Sequence, residues 1–205
     1  MQNKLAIGSG GSSYNYNNNL MYSSINKFAK MGGNIIDTGV KYNCSQVIRK
    51  IIKESNNKLY IISKQRPIDY NNEQEIINSF NKDVLSGLDV NYIDEMVIHT
   101  AWGKERGESE TKYKNHRINM WKAYIKLKIQ GKIKKIGLST FSIEQIEELV
   151  NETNVEPETL HLEYNIFNHD EKMYNYCIKN NIKMYAFSCL GKRSQRKKLN
   201  TIIIN

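Results

Sequence analysis

Along the chain, short runs of β-branched and apolar residues alternate with longer stretches whose apolar positions recur at helical spacing. This is the pattern of βαβ units built around a parallel sheet. The runs predict strands at NIIDTG (34–39), LYIISK (59–64), DEMVIHT (94–100), KKIGLST (134–140), TLHLEYN (159–165) and KMYAFS (183–188). Most are apolar through the middle, as strands covered on both faces are. Amphipathic helices are expected between them, over residues 19–31, 45–54, 73–87, 117–130, 143–151 and 170–180.

Punctuation supports the alternation. Ser142 followed three residues later by Gln145 has the form of a capping box, so a helix should start there. Gly131 suits a left-handed C-cap for the preceding helix. The two prolines, Pro67 and Pro157, fall in connections. One segment breaks the rhythm: residues 101–116, AWGKERGESETKYKNH, are polar, glycine-containing and aperiodic, and read as a long loop after the third expected strand. Such a loop either faces substrate or is simply mobile.

Composition changes this picture little. A chain of 205 residues that is 40% hydrophobic and 25% charged has a core to build and is long enough for one domain. No apolar stretch approaches the roughly 20 residues needed to span a bilayer, and the start, MQNKLAIGSGG, lacks the apolar run of a signal peptide, so a cytoplasmic location is expected. The cysteines Cys44, Cys177 and Cys189 are too few and too widely spaced for a disulfide framework or a CxxC metal knuckle, and read as reduced thiols with no metal site. The net charge is +9, but Lys192, Arg193, Arg196, Lys197 and Lys198 cluster near the end, so the body is only mildly basic. Nucleic-acid binding has charge alone behind it, and a solvated lysine-rich exterior explains that charge as well.

Four ionisable side chains stand at or just past the ends of the first three expected strands: Asp37 and Tyr42, then Lys64, then His99. Singly, each has an ordinary reading: a turn-capping Asp, a packed Tyr, a solvated Lys, a core His. Strand ends on one rim of a parallel barrel converge in space, which makes a single site possible.

The spacing of Asp37 and Tyr42 in IIDTGVKY, then ISK, then DEMVIHT, resembles the signature of the aldo-keto reductase family. The likeness continues through WKAYIKLKIQGKIKKIGLSTFSIEQIEEL (121–149), LHLEYNIFN (160–168) and YAFSCLG (185–191), while IGSGG (7–11) stands where the family has a GxGT turn. The resemblance implies a TIM-type (β/α) barrel, here incomplete, with about six of the eight strand-helix units. It implies a domain over residues 1–191 and a basic, then apolar, tail over 192–205.

For activity, the resemblance implies an NAD(P)H-dependent carbonyl reductase acting on aldehydes, ketones or keto-sugars. Tyr42 would be the acid, with its pKa drawn down by the Lys64 ammonium; Asp37 would hold Lys64; His99 would position the carbonyl oxygen. The nicotinamide carboxamide would fall to Ser139, Thr140 and His161, and ring stacking to Phe187, with Gly10 and Gly11 in the first turn also meeting the cofactor. Thr140 and His161 depart from the family's usual Asn and Gln. NADP is the expected cofactor, although the Lys- and Arg-rich 2′-phosphate motif has no counterpart in this sequence.

The tail either adds a makeshift strand to an open sheet edge, with Thr201 to Ile204 as its apolar part, or is a relic without a role. Homo-oligomerisation through open sheet edges, with marginal stability of the lone chain, is the corresponding expectation. The competing functional reading is a non-catalytic remnant or binding protein that keeps only part of the barrel.

Overall fold

The computed structural model describes residues 5–10, 17–101, 109–191 and 195. The chain divides into two compact units, Met1–Ile136 and Gly137–Asn205. The expected tail lies almost wholly outside the described residues, as does Gly11.

The first unit runs β1 (Ala6–Gly8), α1 (Asn18–Lys30), β2 (Ile35–Asp37), α2 (Ser45–Glu54), β3 (Tyr60–Gln65), α3 (Glu73–Ser79), β4 (Ile93–Ile98), α4 (Glu110–Ile129) and the start of β5 (Ile133–Ser139). Pairings of β1 with β2, β2 with β3 and β3 with β4 are all parallel, in chain order. The core follows from the apolar runs: Ile36, Ile62, Met96 and Val97 on the strands are sealed by Ile25, Ile48, Ile76 and Phe80 from the helices. Side chains serve as N-caps where the sequence provides them, Asn17 accepting from the Leu20 amide (3.0 Å) and Asn72 from the Glu75 amide (2.9 Å).

Three differences from the sequence reading stand out in this unit. β1 adds a seventh strand to the six expected, and its three residues, ending in Gly8, make too short an apolar run to announce it. The helix expected over 73–87 changes character at Phe80, continuing as a wider π-type helix over Phe80–Ser86. Most consequentially, α4 starts at Glu110 rather than 117, so residues 110–116 are helix and not loop. Ser109 caps it by accepting from the Lys112 amide (3.3 Å), and Glu110 pairs with the fully buried Arg117 (2.6 Å). The helix hid because it buries polar and apolar residues alike, Tyr113, His116 and Arg117 beside Trp121 and Tyr124, leaving no apolar stripe to read.

The second unit holds the end of β5, then α5 (Ile143–Thr153), β6 (Thr159–Glu163), α6 (Glu171–Lys179) and β7 (Lys183–Phe187). Its strands pair in parallel, Ser139 with His161 and Glu163 with Phe187. The capping box at Ser142 and Gln145 forms as expected. Close packing at the first pairing needs Gly137, because a Cβ there would lie 2.0 Å from Thr159 Oγ1. β5 and β7 stop one residue short of their expected ends because Thr140 (φ +60°) and Ser188 (φ +52°) take left-handed backbone. Like β1, β7 is half-exposed to exposed along its length. The alternation, parallel pairing and strand order are those of an incomplete (β/α) barrel.

Candidate active site

The strand ends of the first unit bring together Asp37, Tyr42, Lys64 and His99. Backbone hydrogen bonds continue past each strand and fix these ends: the Ser9 amide donates to the Asp37 carbonyl, Thr38 to Ile62 and His99 to Gln65, each at 2.8 Å. Beyond β2 the chain turns through a short 3₁₀ helix, Val40–Tyr42, closed by Asn43 in left-handed backbone (φ +53°). That turn swings Tyr42 back over the strand ends.

Lys64, only 5% exposed, forms an ion pair with Asp37. The Tyr42 hydroxyl lies 3.1 Å from His99 Nε2, and the two rings meet edge to face with centroids 5.5 Å apart. Burial, with help from the Lys64 charge, pulls the His99 pKa down to about 4, so the imidazole is neutral near pH 7. The Tyr42 phenol moves the other way, pushed well above its ordinary value by burial and then by the Asp37 carboxylate. This corrects the expectation that Lys64 would draw the phenol down. The ammonium's charge is largely offset by its Asp37 partner, while desolvation penalises the phenolate directly. The result is a protonated tyrosine hydrogen-bonded to a neutral histidine, beside a part-buried ion pair.

Further residues support this cluster. The buried Cys44 thiol sits 3.3 Å from both Ser9 Oγ and Thr38 Oγ1, pinning the start of α2 to the ends of β1 and β2. Gly10 is placed directly against the site: a Cβ there would lie 2.4 Å from the Tyr42 ring. The Gly-rich segment was a visible signal, read toward the cofactor and not toward the tyrosine.

The second unit places the remaining candidates. Ser139 ends β5 and is buried, with its hydroxyl 3.4 Å from that of the exposed Thr140, whose amide donates to the His161 carbonyl (2.9 Å). His161 is buried on β6 and stacks on Tyr185 of β7, with centroids 4.7 Å apart and planes 22° from parallel. Tyr185 was missed by sequence reasoning, which looked two residues further to Phe187. Phe187 itself closes β7 with 40% of its surface exposed, opposite Glu163. Hydroxyl and imidazole groups at adjacent strand ends, with aromatic rings on the next strand, form a donor set that suits an amide-bearing flat ring.

The family model for the aldo/keto reductase family matches residues 4–202. Among curated relatives, glyoxal reductase of Bacillus subtilis (strain 168) is 31% identical over 177 residues, covering 85% of this chain and 59% of the relative. Methylglyoxal reductase DkgA of Escherichia coli (strain K12) is 25% identical over 178 residues, covering 85% of this chain and 60% of the relative. The chain thus spans about 60% of the length of these relatives. Among solved structures, an aldo/keto reductase from Brucella melitensis superposes with a TM-score of 0.78 at 23% identity, covering 98% of this chain and 74% of that one. A Bombyx mori aldo-keto reductase solved in complex with NADP gives 0.76 at 20% identity, covering 90% of this chain and 62% of that one.

Proposed function

Because the chain belongs to the aldo/keto reductase family, we propose that it is an NADPH-dependent reductase of small carbonyl compounds, with Tyr42 as the acid. The observation that carries this reading is the Tyr42 hydroxyl held 3.1 Å from His99 Nε2 beside the Lys64–Asp37 pair. A carbonyl being reduced needs a proton as negative charge grows on its oxygen. Tyr42 holds that proton at neutral pH, since burial keeps it on the phenol. His99, being neutral, can accept from Tyr42 or donate to the carbonyl oxygen without adding a charge. Lys64 would supply the cation that balances the phenolate left after transfer, and its ion pair with Asp37 would keep that cation oriented before it.

Ser139, Thr140 and His161 would hold the carboxamide of a nicotinamide, with Phe187 against its ring and Gly10 beside the first turn. When bound, the reduced cofactor supplies the hydride that the side chains cannot. NADP is favoured over NAD because a structural relative was solved with NADP. The relatives named for glyoxal and methylglyoxal make small dicarbonyls the first substrates to try.

The test is titration of the 205-residue chain with NADPH and with NADH, followed by tryptophan fluorescence, together with methylglyoxal reduction by wild type and Tyr42→Phe. The expected result is saturable NADPH binding of similar strength in both proteins, with reduction falling by roughly a hundredfold or more in Tyr42→Phe, because only a transition-state interaction is removed. Equal rates would remove Tyr42 from the mechanism.

A further inference from the structure

The acid's own turn is short. The Tyr42 amide of the 3₁₀ helix Val40–Tyr42 donates to the Gly39 carbonyl (3.0 Å), and Gly39 has no side chain with which to cap the turn. Tyr42 must nevertheless hold its hydroxyl on His99, because a displacement of about 1 Å at a reacting group can cost on the order of a hundredfold in rate.

Next to that turn lies an ion cluster that the proposed chemistry does not use. β3 ends in Gln65, and Arg66 follows it before a second 3₁₀ turn, Pro67–Asp69. The Asp69 carboxylate is mostly buried, with 16% of its side chain exposed. It accepts from Arg66 through both oxygens, Nη2 to Oδ1 at 2.7 Å and Nε to Oδ2 at 3.1 Å. Lys41, the residue before Tyr42, brings its Nζ to 3.6 Å from Asp69 Oδ2. One carboxylate therefore spans two turns: the one that carries the acid and the one that continues the Lys64 strand.

We propose that Asp69 is a positioning residue of the reductase site, its carboxylate tying the Tyr42 turn, through Lys41, to the β3 end, through Arg66. The inference rests on the carbonyl-reductase reading for its kinetic consequences, while the tie itself is a property of the protein without substrate. An exposed ion pair contributes little by itself. This cluster differs in two respects: the bidentate Arg66 arm fixes the carboxylate before Lys41 meets it, and that carboxylate is largely removed from water. The cluster also reaches the site electrically. The charges facing His99 are Lys64 and Asp37 from the neighbouring strand ends and Arg66 and Asp69 from the turn after β3, with the Tyr42 hydroxyl in contact. Arg66 and Asp69 act on the imidazole in opposite senses, so Asp69 offsets the guanidinium's effect there.

The experiment compares wild type with Asp69→Asn, Asp69→Glu and Lys41→Met. At pH 7 the nitrogen NMR shift of His99 Nε2 and the cross-relaxation between the Tyr42 and His99 rings report their contact without any substrate. Expected are a moved Nε2 signal and weakened cross-relaxation in Asp69→Asn, with partial recovery in Asp69→Glu. In the kinetic arm, methylglyoxal reduction by NADPH should lose roughly tenfold in kcat in Asp69→Asn and about threefold in Lys41→Met, with NADPH binding unchanged. Lys41 is half-exposed, so Lys41→Met folds even if Asp69→Asn does not, and its ring contact then decides the matter alone. An unchanged His99 signal and ring contact in the folded variants would overturn the tie. Absence of any NADPH-dependent reduction in wild type would instead overturn the reductase reading, while the NMR comparison would still decide the role of Asp69.

Discussion

His99 shows how much of the site's behaviour is decided by one side chain's surroundings. Its pKa falls from 6.5 to about 4, chiefly through burial, so the folded state resists protonation in a range where the unfolded chain accepts it. The sign follows directly: between those values the unfolded state binds more protons, so this contribution to stability is complete above about pH 6.5 and is lost as pH falls toward 4. The full shift corresponds to at most roughly 3 to 4 kcal/mol, and partial exposure reduces it. Urea unfolding at pH 7 and at pH 4.5 should therefore show a smaller loss in His99→Gln than in wild type. Equal losses would mean that acid sensitivity arises elsewhere. At this scale the sequence was a fair guide to which residues meet, since Asp37, Tyr42, Lys64 and His99 do converge. It was a poor guide to their charge states. Spacing reveals that a lysine lies near a tyrosine, but not that Asp37 offsets its charge or that burial outweighs it.

Elements carry the site through a few close approaches that no periodicity could show. Gly10 matters because the Tyr42 ring occupies the space a side chain would fill: a Cβ on Gly10 would lie 2.4 Å from that ring. In Gly10→Ala either the ring or the first turn must move, and the ring is held by His99. The expected outcome is a fall in methylglyoxal reduction of about tenfold or more, with Tm changing by only a few degrees, because the strain falls on one contact and not on the core. A variant as active as wild type would show that the turn yields freely. The same limitation explains what was legible in the elements. Apolar runs such as those of β3 and β4 and the capping box of α5 announce themselves locally. β1 has only its pairing with β2 to define it, and the first turns of α4 depend on Arg117 finding Glu110 and the Ala101 carbonyl (3.2 Å), both of which are tertiary facts. Tyr185 likewise gains its place from His161 on the neighbouring strand.

For the whole molecule, the distribution of exposed apolar surface sets the expected behaviour of this chain on its own. In the second unit Ile166, Tyr174, Ile178, Phe187 and Leu190 are all exposed, with Ile178 at 64% and Leu190 at 71%. Single exposed apolar residues are ordinary, but five in the shorter unit offer apolar surface that a second copy could cover. Strand edges add to this, because among the described residues β1 pairs in the sheet only with β2 and β7 only with β6, which makes each an edge strand. Association between copies would cover both kinds of surface, and its benefit grows with protein concentration through mass action. The 205-residue chain should therefore behave as an oligomer in light scattering at micromolar concentration, with a Tm that rises when the concentration is raised tenfold. Charge-introducing changes at two strongly exposed positions of the second unit, Ile178→Lys with Leu190→Lys, should shift the population toward monomer and lower the Tm's dependence on concentration. A monodisperse monomer melting above about 65 °C at both concentrations would show that the exposed surface is tolerated and that the packing within each unit suffices.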